Sequence, residues 1–322
     1  MSARGSTPRP PASKRPRTPI PELDPAAVAV TASVIRIYDA FLRQPNLSPS
    51  PGVNAIFSEL VSLCVRPYSS STVSDILSDP HIREIAAKLR KTCSTGEYLL
   101  ENHWAAQILA SSNAAKPLRP AHAALRAFPY FQNYMELARL ELQAISSVHP
   151  HRIASVAFIG SGPLPLTSLC FSALLSPPPE RLHNIDNSAR AIAASSQLCA
   201  KLARTASGAG AMAAGRLTFQ LADAAAVQDL GSFEVVFLAG LVGDTEAEKR
   251  KILANVAGRC AAGSLLVLRS AHGLRKLLYQ EIDVGALQGF GLEVLLVVHP
   301  WNRVVNSVVV CRVVGTGVRG KL

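Results

Sequence analysis

Acidic side chains are absent from the first 21 positions, and charged residues of either sign make up only 17% of the 322-residue chain. The six cysteines (Cys64, Cys93, Cys170, Cys199, Cys260 and Cys311) never fall at CxxC or zinc-ligand spacing. Their scatter excludes a disulfide scaffold and a zinc ribbon, and fits unpaired, mostly buried thiols in a reducing compartment. The N-terminus carries no signal-type hydrophobic stretch, and no apolar run reaches the roughly 18–20 residues that span a bilayer. The expectation is a cytoplasmic protein, neither secreted nor membrane-embedded. No cluster with metal-ligand spacing is present, so no metal site is expected.

What is abundant is apolar: hydrophobic residues make up 48% of the chain, enough to pack a large core. The net charge of +11 suggests nucleic acid until it is located. Arg4, Arg9, Lys14, Arg15 and Arg17 lie among six prolines in residues 1–21, and the rest of the chain, with 28 basic and 22 acidic residues, carries only +6. Residues 1–25 read as a disordered, basic, Pro-rich tail. Its Lys14-Arg15-Pro16-Arg17 run resembles a short nuclear-localisation patch, and the lack of acids in residues 1–21 faintly resembles an organelle transit peptide; a plain solvated tail is the alternative. No aromatics interleave the basic residues and no DNA- or RNA-binding motif follows, so nucleic acid is not an expected partner. Nothing in the sequence sets an oligomeric state.

The pattern changes near residue 151. Before it, apolar residues recur at helical spacing: Val30, Val34, Ile37, Tyr38, Phe41 and Leu42 within 26–44, then a helix opening at Pro51 and ending before Pro67. Longer helices are expected over about 80–112 and 121–147. Residues 26–150 thus read as a helical domain. From 151 to 322, short apolar runs at Val156–Ile159, Leu182–Ile185, Leu217–Leu221, Val235–Leu238 and Leu265–Leu268 alternate with helical stretches near 163–175, 188–204, 224–229 and 244–260. This rhythm predicts an α/β fold with a mostly parallel sheet. The last two runs, Val294–Val298 and Val308–Val314, are too close for a helical crossover and predict an antiparallel hairpin at the sheet edge. By analogy, such a sheet is the plan of a class I methyltransferase-like Rossmann domain.

Candidate ligand residues gather at the strand ends. Gly160-Ser161-Gly162 follows the first strand, where glycine lets the backbone turn tightly and approach a ligand. Alone, such a GxG is often a structural turn. Asp186 ends the second strand, where an acid bonds the ribose of a nucleoside. Pro163-Leu164-Pro165 replaces the third glycine of a dinucleotide fingerprint, which disfavours a pyrophosphate and favours S-adenosylmethionine. Asp223, after the third strand, suits the adenine amine or a helix N-cap, and Leu241 and Val242, after the fourth, suit the methionine end.

Longer motifs carry a resemblance. Ala157-Phe158-Ile159-Gly160-Ser161-Gly162-Pro163-Leu164-Pro165-Leu166-Thr167-Ser168 closely resembles nicotianamine synthases of plants and fungi. So do Leu99-Leu100-Glu101-Asn102-His103-Trp104, the Phe128–Tyr134 stretch, Val236–Gly243, Leu268–Gly273, and His299-Pro300 followed by Val305–Val308. The resemblance covers roughly residues 26–314. It implies transfer of the 3-amino-3-carboxypropyl group of S-adenosylmethionine: three molecules condense, three methylthioadenosines leave, and the product is the metal chelator nicotianamine. S-adenosylmethionine is then substrate, and no further cofactor is implied.

An amine that attacks the carbon beside a sulfonium needs a positioned base more than an activated leaving group. Glu97 and Glu101 lie four apart on one helical face. By themselves they read as a solvated edge beside the Leu99, Leu100 and Trp104 stripe. The resemblance reverses that reading for Glu101, which stands where the family's catalytic glutamate stands, and it also matches Glu97. Tyr134 corresponds to a tyrosine that orients the substrate amine, whereas Tyr130 alone reads as a core aromatic. Arg269 and His272, past the fifth strand, are expected to bind a substrate carboxylate, with a capped loop as the alternative. Phe131, Asn187 and Gly240 stand where relatives usually carry tyrosine, proline and alanine. Two other activities suit the same residues: an opine-type aminocarboxypropyl transferase that adds one unit to another amino acid, and an ordinary methyltransferase.

Overall fold

Three helices of the first half begin with a polar cap followed by proline. In the computed structural model, which describes residues 24–111, 121–205, 216–243 and 245–314, α1 (Pro25–Leu42) is capped by Asp24, whose carboxylate accepts the Ala26 N–H at 2.9 Å. α2 (Pro51–Cys64) is capped by Ser50 and α4 (Pro80–Ala110) by Asp79, which accepts from His81 and Ile82. Proline at the first position gives up an N–H that would have no partner, and its fixed φ suits the helix. The short α3 (Ser70–Ser78) was not expected, since its apolar residues are too few to mark a stripe.

The single helix expected over 121–147 is two, α5 (Ala121–Arg126) and α6 (Phe131–Val148). Pro129 explains the break, because it lacks an N–H and drives Phe128 out of helical geometry. By length and composition α1 could cross a bilayer, contrary to the run-length reading. Its Val34 and Ile37 are instead fully buried with Leu60 of α2, Ile76 of α3 and Ile82 of α4. Residues 1–23 of the basic tail lie outside the described residues, and Asp24 and Pro25, expected to be part of it, are the cap and first residue of α1.

The second half builds a seven-stranded, mostly parallel sheet, as the alternating pattern predicts, and its strand order is β3-β2-β1-β4-β5-β7-β6. Its strands are β1 (Ser155–Ile159), β2 (Arg181–Asp186), β3 (Leu217–Leu221), β4 (Val235–Leu238), β5 (Leu265–Ser270), β6 (Leu292–Val298) and β7 (Ser307–Val313). The first five are parallel; β7 runs antiparallel to β5 and to β6. Three helices flank them: α7 (Leu166–Leu174), α8 (Ala189–Thr205) and α9 (Glu246–Arg259), the last opened by a Thr245–Glu248 capping box. The expected helix at 224–229 is a turn. The Asp223 carboxylate takes the Ala225 N–H at 2.8 Å, its carbonyl takes that of Ala226, and buried Val227 and Leu230 draw the chain back to the sheet.

Register decides where the site falls. Ile159 pairs with Ile185 on one side and Leu238 on the other, so β1, β2 and β4 end level. The strand order reverses between β1 and β4, which opens the crevice where open α/β sheets bind ligands. Helices cover that edge because they share the sheet's core: Ile108, Leu137 and Ile145 pack in one cluster with Val156, Phe158 and Phe237. A 3₁₀ segment after β5 (Gly273–Leu277) makes a second tie, with Leu274 and Leu277 joining the core of α1, α2 and α4.

Candidate active site

A cavity of about 1000 Å³ lies between the carboxyl ends of the strands and α2, α4 and α6. Its floor is the turn after β1. Gly160 and Gly162 have φ of 80° and 67°, where a side chain is strained, and a Cβ on Gly160 would stand 2.2 Å from Val242. The turn is locked by its neighbours: Gly160 N–H donates to Ile185 O, and Gly162 N–H donates to the Asp186 carboxylate at 2.9 Å. Asp186 also accepts the Ser188 N–H, so backbone groups fix its orientation. Asp223, Leu241 and Val242 line the same floor.

The roof is acidic. Tyr134, from α6, stands 3.1 Å from a carboxylate oxygen of Glu97 and 3.1 Å from one of Glu101, both on α4. Tyr279 donates to the other Glu97 oxygen at 2.6 Å. Roof and floor meet at Gly162, where a Cβ would lie 2.5 Å from Glu101 Oε2. Only glycine leaves room for that carboxylate against the turn after β1.

Burial first, and then the Glu97 charge, push the Glu101 carboxyl well above the ordinary carboxylate range; the Tyr134 hydrogen bond and Arg269 oppose this. Glu97 is raised by burial too, with the hydrogen bonds from Tyr279 and Tyr134 pulling it back. Both phenols are pushed far up, first by burial and then by the neighbouring carboxylates, so they remain hydrogen-bond donors at neutral pH. The one phenolic hydrogen of Tyr134 cannot serve both carboxylates at once. The second donor, Tyr279, satisfies Glu97 and frees Tyr134 for Glu101.

Arg269 lies behind this network. Its guanidinium pairs with Glu141 of α6, Nε to Oε1 at 2.7 Å and Nη2 to Oε2 at 3.2 Å, and also donates to Thr167 at 2.7 Å. Burial alone would lower its pKa, but Glu141 outweighs that and holds Arg269 charged. Glu141 has no exposed surface.

Most of the residues singled out in the sequence come together around this cavity: Glu97, Glu101, Tyr134, Gly160, Gly162, Asp186, Asp223, Leu241, Val242 and Arg269. Three readings need correction. Glu97 and Glu101 do not edge a solvated face; with Cys93 and Ala105 they form the inward row of α4. Arg269 does line the cavity, with its Nε and Nη2 held by Glu141 and Thr167. His272 is exposed and stacks on His299 with centroids 4.1 Å apart, away from the cavity lining. No helix follows Asp223 for it to cap. Tyr279 and Glu141 were missed, and only Glu141 left a signal: it sits four residues from Leu137 and four from Ile145, inside the buried stripe of α6. No group of three metal-ligating side chains is found among the described residues.

Fold and site together define a class I methyltransferase-like protein with an acid-bearing helical roof. Comparison with known proteins makes the class specific: residues 24–317 match the family described as "Nicotianamine synthase protein". The chain is 38% identical to "Probable nicotianamine synthase 3" of Hordeum vulgare over 88% of its own length and 80% of that protein. It is 35% identical to "Nicotianamine synthase 2" of Arabidopsis thaliana, over 90% and 86% respectively. This chain belongs to the nicotianamine synthase family. A crystal structure of an MtNAS mutant shares the fold with a TM-score of 0.70 at 19% identity, covering 91% of this chain and 100% of that one. MtNAS has also been solved in complex with MTA and tNA, with a TM-score of 0.66.

Proposed function

We propose that this protein is a nicotianamine synthase, condensing three S-adenosylmethionine molecules by aminocarboxypropyl transfer, with no cofactor beyond that substrate. The observation that carries the reading is the Glu101 carboxylate set against the Gly160–Gly162 turn, which brings an acid of raised pKa to the edge that receives a nucleoside. A cavity of about 1000 Å³ lies within the roughly 300–1,000 Å³ of small-molecule sites and is large enough for a nucleoside substrate.

In each transfer the acceptor nitrogen bonds to the carbon γ to the donor carboxylate. The S–C bond breaks with its electron pair going to sulfur, and neutral methylthioadenosine leaves. The acceptor ammonium must lose a proton first, and Glu101 takes it. Burial favours the protonated form of Glu101; the bound sulfonium and ammonium are cations, whose field favours the carboxylate needed for proton removal. Tyr134 donates to Glu101 and holds it toward the amine. Asp186 and Asp223 hold the ribose and adenine.

The purified protein given S-adenosylmethionine alone should yield nicotianamine and methylthioadenosine, read by mass spectrometry. Adenosylhomocysteine would show methyl transfer instead, and product formed only after another amino acid is added would show an opine-type transferase.

A further inference from the structure

Three buried side-chain polar atoms lack a partner among the described residues: Ser161 Oγ, Ser172 Oγ and Asn306 Nδ2. Ser161 and Asn306 line the cavity, and Asn306 is only 6% exposed. Buried donors in folded proteins are nearly always paired, so one that faces a ligand cavity points to a ligand acceptor.

Asn306 is held in place by its surroundings. Arg275 donates to Val304 O at 3.2 Å and to Asn302 O at 2.7 Å, and Asn133 donates to Arg303 O at 2.8 Å. These bonds tie down the segment that leads to Asn306, and β7 begins at the next residue. The amide nitrogen faces Gly240: a Cβ there would stand 3.1 Å from Nδ2 and 3.0 Å from the Tyr279 ring. Asn306 therefore lies on the Tyr279–Glu97 side of the cavity, across from Asp186 and Asp223.

On the reading proposed above, which this inference rests on, the substrate offers a nucleoside, an amine and a carboxylate. The floor acids suit the nucleoside hydroxyls and amine, and Glu97 and Glu101 suit the amino group. The carboxylate needs a donor on a wall that already carries two glutamates; Arg269 Nε and Nη2 are engaged by Glu141 and Thr167, and Asn306 Nδ2 is the buried amide donor on that wall without a partner among the described residues. The geometry points to Asn306 as the residue that binds the carboxylate of S-adenosylmethionine, with its amide N–H₂ as donor. A neutral amide does this without an added charge that would pair with Glu97.

The test compares S-adenosylmethionine with its decarboxylated analogue, which lacks only the carboxylate, by calorimetry. The wild type should prefer the intact ligand by on the order of tenfold or more, the size of one hydrogen bond to a charged group. Asn306→Ala should erase most of that preference by weakening S-adenosylmethionine and leaving the analogue within about twofold. The isosteric Asn306→Asp should weaken S-adenosylmethionine further, because it sets an acid against the carboxylate. A wild type with no preference overturns the inference, as does an equal loss for both ligands or a selective loss in Ser161→Ala in place of Asn306→Ala. If Asn306→Ala fails to fold, the isosteric Asn306→Asp carries the same comparison, and an unchanged preference in it overturns the inference. Failure of the wild type to make nicotianamine would sink the proposed function while leaving the carboxylate contact standing.

Discussion

Floor and roof of the cavity both present carboxylates, but they hold them differently. On the floor, Asp186 and Asp223 accept backbone N–H groups from the residues around them, so each is oriented by the fold itself. On the roof, Glu97 and Glu101 accept from phenols brought in by α6 and by the segment after β5, and each glutamate crowds the other. Backbone donors make a rigid acceptor suited to binding. Phenol donors and mutual repulsion make a carboxylate whose proton comes and goes. A third arrangement behind the roof makes the contrast sharper: Glu141 is buried more completely than either roof glutamate, but a full guanidinium neutralises it, which suits a structural brace.

If the roof performs the proton transfer, Glu101→Gln should lower turnover by about 10²–10⁴-fold, the usual contribution of a positioned base; methylthioadenosine release measures it. The brace should show its effect in stability. Glu141→Ala leaves Arg269 buried without its partner and should cost about 3–5 kcal/mol in urea unfolding, whereas a loss below about 1 kcal/mol would mean that Arg269 finds another acceptor. On the floor, Asp186→Ala should weaken nucleoside binding by about 1.5–3 kcal/mol, the loss of a charge-assisted bond.

The smallest effect concerns pH. The Glu97 charge raises the Glu101 pKa, so Glu97→Gln should move the acid limb of kcat/KM to lower pH. An upward shift would contradict the coupling. Stability should respond as well. Both glutamates titrate higher in the folded protein than in the unfolded chain, so the native state binds more protons, and stability is lost as pH rises from the unfolded value through the folded ones. Glu97→Gln should flatten that decline.

The floor was legible in the sequence because its signals are local: glycines and acids directly after short apolar runs. The methyltransferase-like sheet was legible for the same reason, down to the closing hairpin. The roof was not legible from pattern alone. Acids are discounted when an apolar stripe is traced, so the inward row of Cys93, Glu97, Glu101 and Ala105 read as an edge until longer motifs placed Glu101. Tyr279 gave no warning at all, since its partner Glu97 is 182 residues away and no short motif surrounds it. Pro129 was visible, but its effect in splitting α5 from α6 was not drawn from the apolar period.

The division between a binding floor and a reacting roof is tested most directly by titrating methylthioadenosine into the wild type, Glu101→Gln and Asp186→Ala by calorimetry. The account expects Glu101→Gln to bind like the wild type and Asp186→Ala to bind about 10- to 150-fold more weakly. Unchanged affinity in Asp186→Ala, with the loss falling on Glu101→Gln, would contradict it.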